Sequence, residues 1–143
     1  MELLASTRFR REPVAVPAAR AFVRRALAPL DLEAEARERL VLAAAEAFNN
    51  VVLHAECDSF TVSVSRDGDT CVLGVTDSGH GFYVPGSFEM PPANDVGHRG
   101  LALMQALVDE LRVASSPTGT AVLLAQKLSG NGSDNGAALT AEA

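Results

Sequence analysis

Apolar and polar positions recur with two different periods along the first 128 residues, and the changes of period divide the chain into elements. Residues 3–12 alternate weakly, which predicts an edge strand. Pro17 suits the first turn of a helix, and Ala18–Ala28 continues it with Phe22, Ala26 and Leu27 on one side until Pro29 stops it. Asp31 is the expected N-cap of a second helix, with Glu33 and Glu35 near the positive end of its dipole. Leu40, Val41, Ala44, Ala45, Phe48, Val52 and Ala55 then recur at helical spacing, which carries this helix to about Ala55.

The period changes to two at Phe60, Val62 and Val64, and Asp67-Gly68 marks a tight turn. Residues 58–66 and 70–76 are therefore expected as an antiparallel pair. Residues 83–98 hold three prolines, Gly86 and Gly97 without a clean period, the composition of a long functional loop. Phe88 and Met90 in it are candidates to pack over a ligand or to staple the loop down. Leu101–Leu111 reads as a helix, followed by strands over 111–116 and 120–128 joined through Pro117-Thr118-Gly119. From Ser129 the chain turns to Gly, Ser, Asn and Ala, so one domain over 1–128 and a flexible tail over 129–143 are expected. The predicted fold class is α+β: a two-layer α/β sandwich with a mixed, mainly antiparallel sheet and helices on one face.

Charge and composition narrow the functional classes. The net charge is −6, yet residues 1–28 carry six Arg against two acids, so that stretch is +4 and the remainder −10. An acidic body argues against direct nucleic-acid binding, which depends on neutralising phosphates. The basic stretch reads first as a solvated helix face and second as a surface for an acidic protein. No run of apolar residues is long enough to span a membrane and the start is not a secretory leader, so a cytoplasmic protein is expected. Cys57 and Cys71 read as two reduced thiols, and with His54, His80 and His98 they match no recognised zinc spacing.

Candidate chemistry lies in three places. Glu46, Asn49, Asn50 and His54 share one face of the long helix, away from its apolar stripe. Adjacent asparagines are mediocre helix formers, and a merely solvated face more often carries Glu, Lys or Arg. A carboxylate can take the proton of a hydroxyl nucleophile, and a neutral amide oxygen can join a magnesium shell completed by phosphates and water. Glu46 and Asn50 divide into those two roles. Asp77-Ser78-Gly79-His80-Gly81-Phe82 follows a strand. Its carboxylate can accept a hydrogen bond from the exocyclic amine of adenine, and its glycines allow backbone to approach a planar ring. Gly97 and Gly100 open a helix whose free N–H groups favour phosphate, with Arg99 as an added positive charge.

Order and spacing of these motifs resemble the ATPase family shared by gyrase, the 90 kDa heat-shock chaperone, histidine kinases and MutL, the Bergerat ATP-binding fold. Glu46…Asn50 is similar to its first box, Asp77-x-Gly79-x-Gly81-Phe82 to its second, Gly97-x-Arg99-Gly100-Leu101 to its third and Gly119-Thr120 to its last. The resemblance covers about residues 5–128. Within the family, short anti-sigma-factor serine/threonine kinases look closest. Histidine kinases usually have asparagine where Glu46 stands and carry a further helical domain. The third box departs from close relatives at His98, where they often have glycine, and a side chain there bears on the approach of backbone to phosphate.

The resemblance implies an ATP- and Mg2+-dependent protein serine/threonine kinase that phosphorylates an anti-sigma-factor antagonist and otherwise sequesters a sigma factor, with homodimerisation common. Carried over residue by residue, Glu46 is catalytic, and Asn50 is the metal ligand. Asp77, Gly79, Gly81, Phe82, Gly97, Arg99, Gly100, Leu101 and Thr120 complete the nucleotide site. The competing expectation is a binding module that sequesters a transcription regulator without catalysis, with or without nucleotide.

Overall fold

The computed structural model describes residues 1–78 and 96–129. Along the chain run β1 (Glu2–Arg10), α1 (Ala15–Leu27), α2 (Ala34–His54), β2 (Ser59–Asp67), β3 (Thr70–Asp77), α3 (Val96–Leu107), β4 (Glu110–Ser116) and β5 (Gly119–Lys127). The strands form one sheet in the order β1-β2-β3-β5-β4, and every neighbouring pair is antiparallel. β1 is indeed an edge strand, and the Asp67-Gly68 turn closes the β2–β3 hairpin with Gly68 at φ +62°.

The helices cover one face of this sheet, as the alternation predicts. Phe60, Val62 and Val64 of β2, Cys71, Leu73 and Val75 of β3, and Val122 and Leu124 of β5 are buried against Ala19, Val23 and Leu27 of α1 and Leu40, Ala44 and Phe48 of α2. An aromatic chain runs through this layer. Phe9 packs edge-on against Phe22 at 6.0 Å and stacks on Phe60 at 5.8 Å, and Phe60 meets Phe48 at 6.1 Å. Burial pushes the Cys71 thiol up to about 11, so it stays neutral in the core. Both cysteines are free.

Three boundaries differ from expectation, each for a physical reason. Asp31 does not cap α2. The N-cap position is Glu33, without a side-chain cap bond, and Asp31 instead accepts the amide of Ser129 through its carbonyl at 2.7 Å. The turn ahead of α2 is held by Arg37, whose guanidinium donates to the carbonyls of Leu27, Leu30 and Leu32. α1 starts at Ala15 rather than Ala18, keeping Pro17 in its first turn where no N–H is required. α3 begins at Val96 and ends at Leu107, so Gly97 and His98 belong to a helix and not to the preceding loop. The expected loop features at Gly86, Phe88 and Met90, and the tail from residue 130, lie outside the described residues.

Five of the six N-terminal arginines are exposed, in keeping with a solvated basic face. Arg11 differs: it donates to the carbonyls of Val52 at 2.8 Å and Cys57 at 2.7 Å, placing a cation at the negative end of α2. No helix among the described residues is long and apolar enough to cross a membrane.

Candidate nucleotide-binding site

The site has two halves, one on helices and one on the sheet. On α2, buried Ala43, Ala47 and Val51 extend the apolar face beyond the predicted stripe. Their small side chains lie on the flank that α3 approaches, because Ala43, Ala47 and Asn50 succeed one another at i, i+4 and i+7. Glu46, Asn49 and Asn50 are consequently half-buried rather than solvated, while His54 at the end of the helix is exposed. Polar groups held at the edge of a packed helix pair are far better fixed than groups on a free surface.

Gly100 of α3 is the point of closest approach. A Cβ on it would lie 3.2 Å from Asn50 Nδ2, 3.3 Å from Asn50 Oδ1 and 3.5 Å from Glu46 Oε1. Its hydrogen therefore leaves the space in which carboxylate and carboxamide stand side by side. Leu101 and Met104 of α3 are fully buried and fix its position. Gly97 and Arg99 lie in the first turn of α3, where backbone N–H groups have no intrahelical partner.

Helix propensity favours alanine over glycine by about 1 kcal/mol. A Gly100→Ala variant is accordingly expected to hold or gain thermal stability. Its added methyl group nevertheless pushes on Asn50, so with Asn50 as the metal ligand that the family resemblance implies, affinity for magnesium nucleotide is expected to fall by about tenfold. Parallel thermal unfolding and nucleotide titration check this opposition of signs.

On the sheet, the register aligns Phe9, Phe60, Asp77, Thr120 and Ser115 in one row across β1, β2, β3, β5 and β4. The row changes character at its middle. Phe9 and Phe60 serve the aromatic core, whereas Asp77, Thr120 and Ser115 carry a carboxylate and two hydroxyls. Thr120 is buried, Asp77 half-buried, and the Ser115 and Thr120 hydroxyls share a hydrogen bond of 3.1 Å. Gly119 beside them has φ +154°, and its backbone runs directly against the end of β3.

Phe48 ties the halves together. It lies between Glu46 and Asn50 in sequence but points into the core, where its ring meets Phe60, the row neighbour of Asp77. One aromatic contact thus fixes the height of the Glu46–Asn50 turn relative to the polar end of the row. Glu46, Asn50 and Gly100 are brought together directly, and Asp77 and Thr120 are brought together by register. Gly79, Gly81 and Phe82 lie outside the described residues. Sequence reasoning missed Ser115, whose signal appears only once the β4–β5 register is known.

A carboxylate, a carboxamide, a helix N-terminus and an acidic sheet end are the parts needed to hold a nucleotide by base and phosphates. Comparison with known proteins agrees in family and fold. Residues 9–126 match the histidine kinase-like ATPase domain family. In fold the chain is similar to the RsbU and RsbW domains of Rv1364c from Mycobacterium tuberculosis, with a TM-score of 0.64 and 21% identity over 87% of this chain and 32% of that one. It is also similar to the histidine kinase domain of a blue-light activated histidine kinase from Erythrobacter litoralis, with a TM-score of 0.54 and 21% identity over 81% of this chain and 64% of that one. A third likeness is to the histidine kinase AdeS of Acinetobacter baumannii, at a TM-score of 0.55 and 10% identity over 89% of this chain and 69% of that one. The chain spans about a third of the length of the mycobacterial structure. No curated protein matches it. The family match takes in every residue of both halves of the site, and this protein belongs to the histidine kinase-like ATPase domain family.

Proposed function

We propose that the chain is an ATP-dependent protein serine/threonine kinase of anti-sigma type, which phosphorylates an antagonist protein and sequesters a sigma factor. The observation that carries this reading is the packing of Gly100 against both Asn50 and Glu46, because it puts a proton acceptor next to a neutral oxygen ligand. The carboxylate at position 46 favours the same reading over a histidine kinase.

Asp77 would accept a hydrogen bond from the exocyclic amine of adenine, with Thr120 beside it. The first turn of α3 would receive phosphate oxygens on its free N–H groups, with Gly97 and Arg99 at that end. The donor set suits magnesium, since Asn50 offers one neutral oxygen in a space that a Cβ on Gly100 would fill. A bound Mg2+ supplies charge neutralisation at the phosphates. Glu46 would accept the proton of a serine or threonine hydroxyl on the partner as its oxygen bonds to the γ-phosphorus and the bond to ADP breaks. Most of the rate would come from positioning and electrostatics.

Titration with ATP in the presence and absence of Mg2+ tests the nucleotide half of this reading. Wild-type protein should bind ATP with a magnesium-dependent affinity, and Asn50→Ala should weaken the magnesium complex by at least about tenfold. Equal binding with and without the metal in both proteins would sink the assignment of Asn50. A protein that sequesters its target but transfers no phosphate would instead be the non-catalytic binding module.

A further inference from the structure

We propose that Ser115 is a positioning residue that sets base selectivity, by fixing the direction in which the Thr120 hydroxyl donates. The inference rests on the nucleotide-binding reading and adds to it a residue outside the four family motifs. It starts from the row Asp77–Thr120–Ser115, which crosses three strands on the helix-facing side of the sheet. Thr120 is buried in the middle of that row, with a carboxylate in register on one side and a hydroxyl at 3.1 Å on the other.

The polarity of the row follows from what each group is able to do. An ionised carboxylate only accepts, whereas a hydroxyl has a single proton to give and two lone pairs. If Thr120 gave its proton to Ser115, it would turn lone pairs toward the Asp77 carboxylate, and residues paired across antiparallel strands lie only about 5 Å apart at Cβ. The favourable arrangement is the reverse: Ser115 donates to Thr120, and Thr120 directs its proton to the Asp77 side.

The row then presents an acceptor, the carboxylate, next to a donor, the Thr120 hydroxyl. Adenine offers the complement along its pairing edge, an amine donor beside a ring-nitrogen acceptor. Guanine offers the opposite order, a carbonyl acceptor beside a ring N–H. Without the Ser115 hydroxyl, Thr120 loses the donor that occupies one of its lone pairs, and the penalty against guanine weakens.

The neighbouring Ser116 supplies a control. Its hydroxyl pairs with Thr118 at 3.0 Å and accepts the Thr118 amide at 3.2 Å, so it closes the β4–β5 turn rather than joining the row.

The test measures dissociation constants for ADP and GDP, both with Mg2+, in wild type and in the Ser115→Val, Ser115→Thr and Ser116→Ala variants. Valine and threonine match in size and suit a strand equally, so the first two variants differ only in the hydroxyl. Ser115→Val should weaken ADP by about fivefold, the scale of one neutral hydrogen bond, with GDP unchanged or tighter. Ser115→Thr and Ser116→Ala should keep the wild-type ratio of the two constants. The inference is overturned if Ser115→Val shifts ADP and GDP equally, or if threonine fails to restore the ratio. A wild-type protein that binds neither nucleotide overturns the nucleotide-binding reading itself, and this inference with it.

Discussion

Gly119→Ala is expected to lower stability by several kcal/mol, on the order of 3–5, which places it among the most damaging substitutions a single methyl group can make. Two features combine at this position. Its φ of +154° is one that L side chains rarely adopt, and a Cβ built there would sit 2.3 Å from the carbonyl oxygen of Asp77 and 3.2 Å from Cα of Ser78. Both atoms are backbone of a neighbouring strand, so no side chain can rotate out of the way. β3 and β5 would have to part at the end that carries the polar row. A domain of this kind has a total stability of about 5–15 kcal/mol, so the variant stands close to unfolding. Gly68→Ala provides the comparison. Gly68 also has positive φ, at +62°, but nothing lies within 4 Å of a Cβ there. Only the left-handed backbone cost remains, about 1–2 kcal/mol. Urea unfolding of both variants separates clash from backbone conformation, and equal losses would show that the contact with Asp77 is not the cause. Nucleotide affinity should fall with Gly119→Ala and stay unchanged with Gly68→Ala, since only the former moves the Asp77 strand end.

Glu46→Gln is expected to have the largest effect on activity with almost none on binding. Glutamine keeps the shape and length of glutamate, so the packing of α2 against Gly100 survives. What is lost is the ability to accept a proton, which is worth about 10²–10⁴ in rate where general base catalysis operates. Asn50, Asp77 and Thr120 are untouched, so magnesium-ATP affinity should stay within about twofold, a difference well under 1 kcal/mol. Asn50→Ala should give the opposite pattern, a loss that appears first in nucleotide affinity. Steady-state transfer rates and equilibrium titrations on the two variants would distinguish a proton acceptor from a ligand to the metal. If Glu46→Gln retained most of the transfer rate, the carboxylate would be structural and the binding-module reading would gain.

Most of the fold was legible because its signals are local. The alternation at Phe60, Val62 and Val64, the Asp67-Gly68 turn and the long helical stripe from Leu40 each depend on a few adjacent residues. Errors arose where tertiary contacts override local preference. Asp31 looks like a cap, yet its carbonyl serves the amide of Ser129, almost 100 residues later, and the α1–α2 turn depends on Arg37 instead. α3 begins earlier than its apolar pattern, and Gly100, a poor helix former, is tolerated where α2 packs against it.

The site divides in the same way. Glu46, Asn50, Asp77 and Thr120 were visible as types and spacings. The half-buried setting of Glu46 and Asn50 was not visible, because Ala43 and Ala47 carry too little hydrophobic signal to mark a second packing flank. Ser115 was invisible for a stronger reason. Nothing in a strand that ends Ala114-Ser115-Ser116 distinguishes two serines of opposite faces, and only the register shows that one joins the row of Asp77 while the other closes a turn.

The most direct test of the account is transfer of the γ-phosphoryl group from labelled ATP to a purified antagonist protein, followed by treatment of the product with acid. The account predicts label on the partner in acid-stable form, as expected for phosphoserine or phosphothreonine, and no label when Glu46→Gln replaces wild type. Acid-labile label retained on the chain itself, or no transfer while ATP is bound, would contradict it.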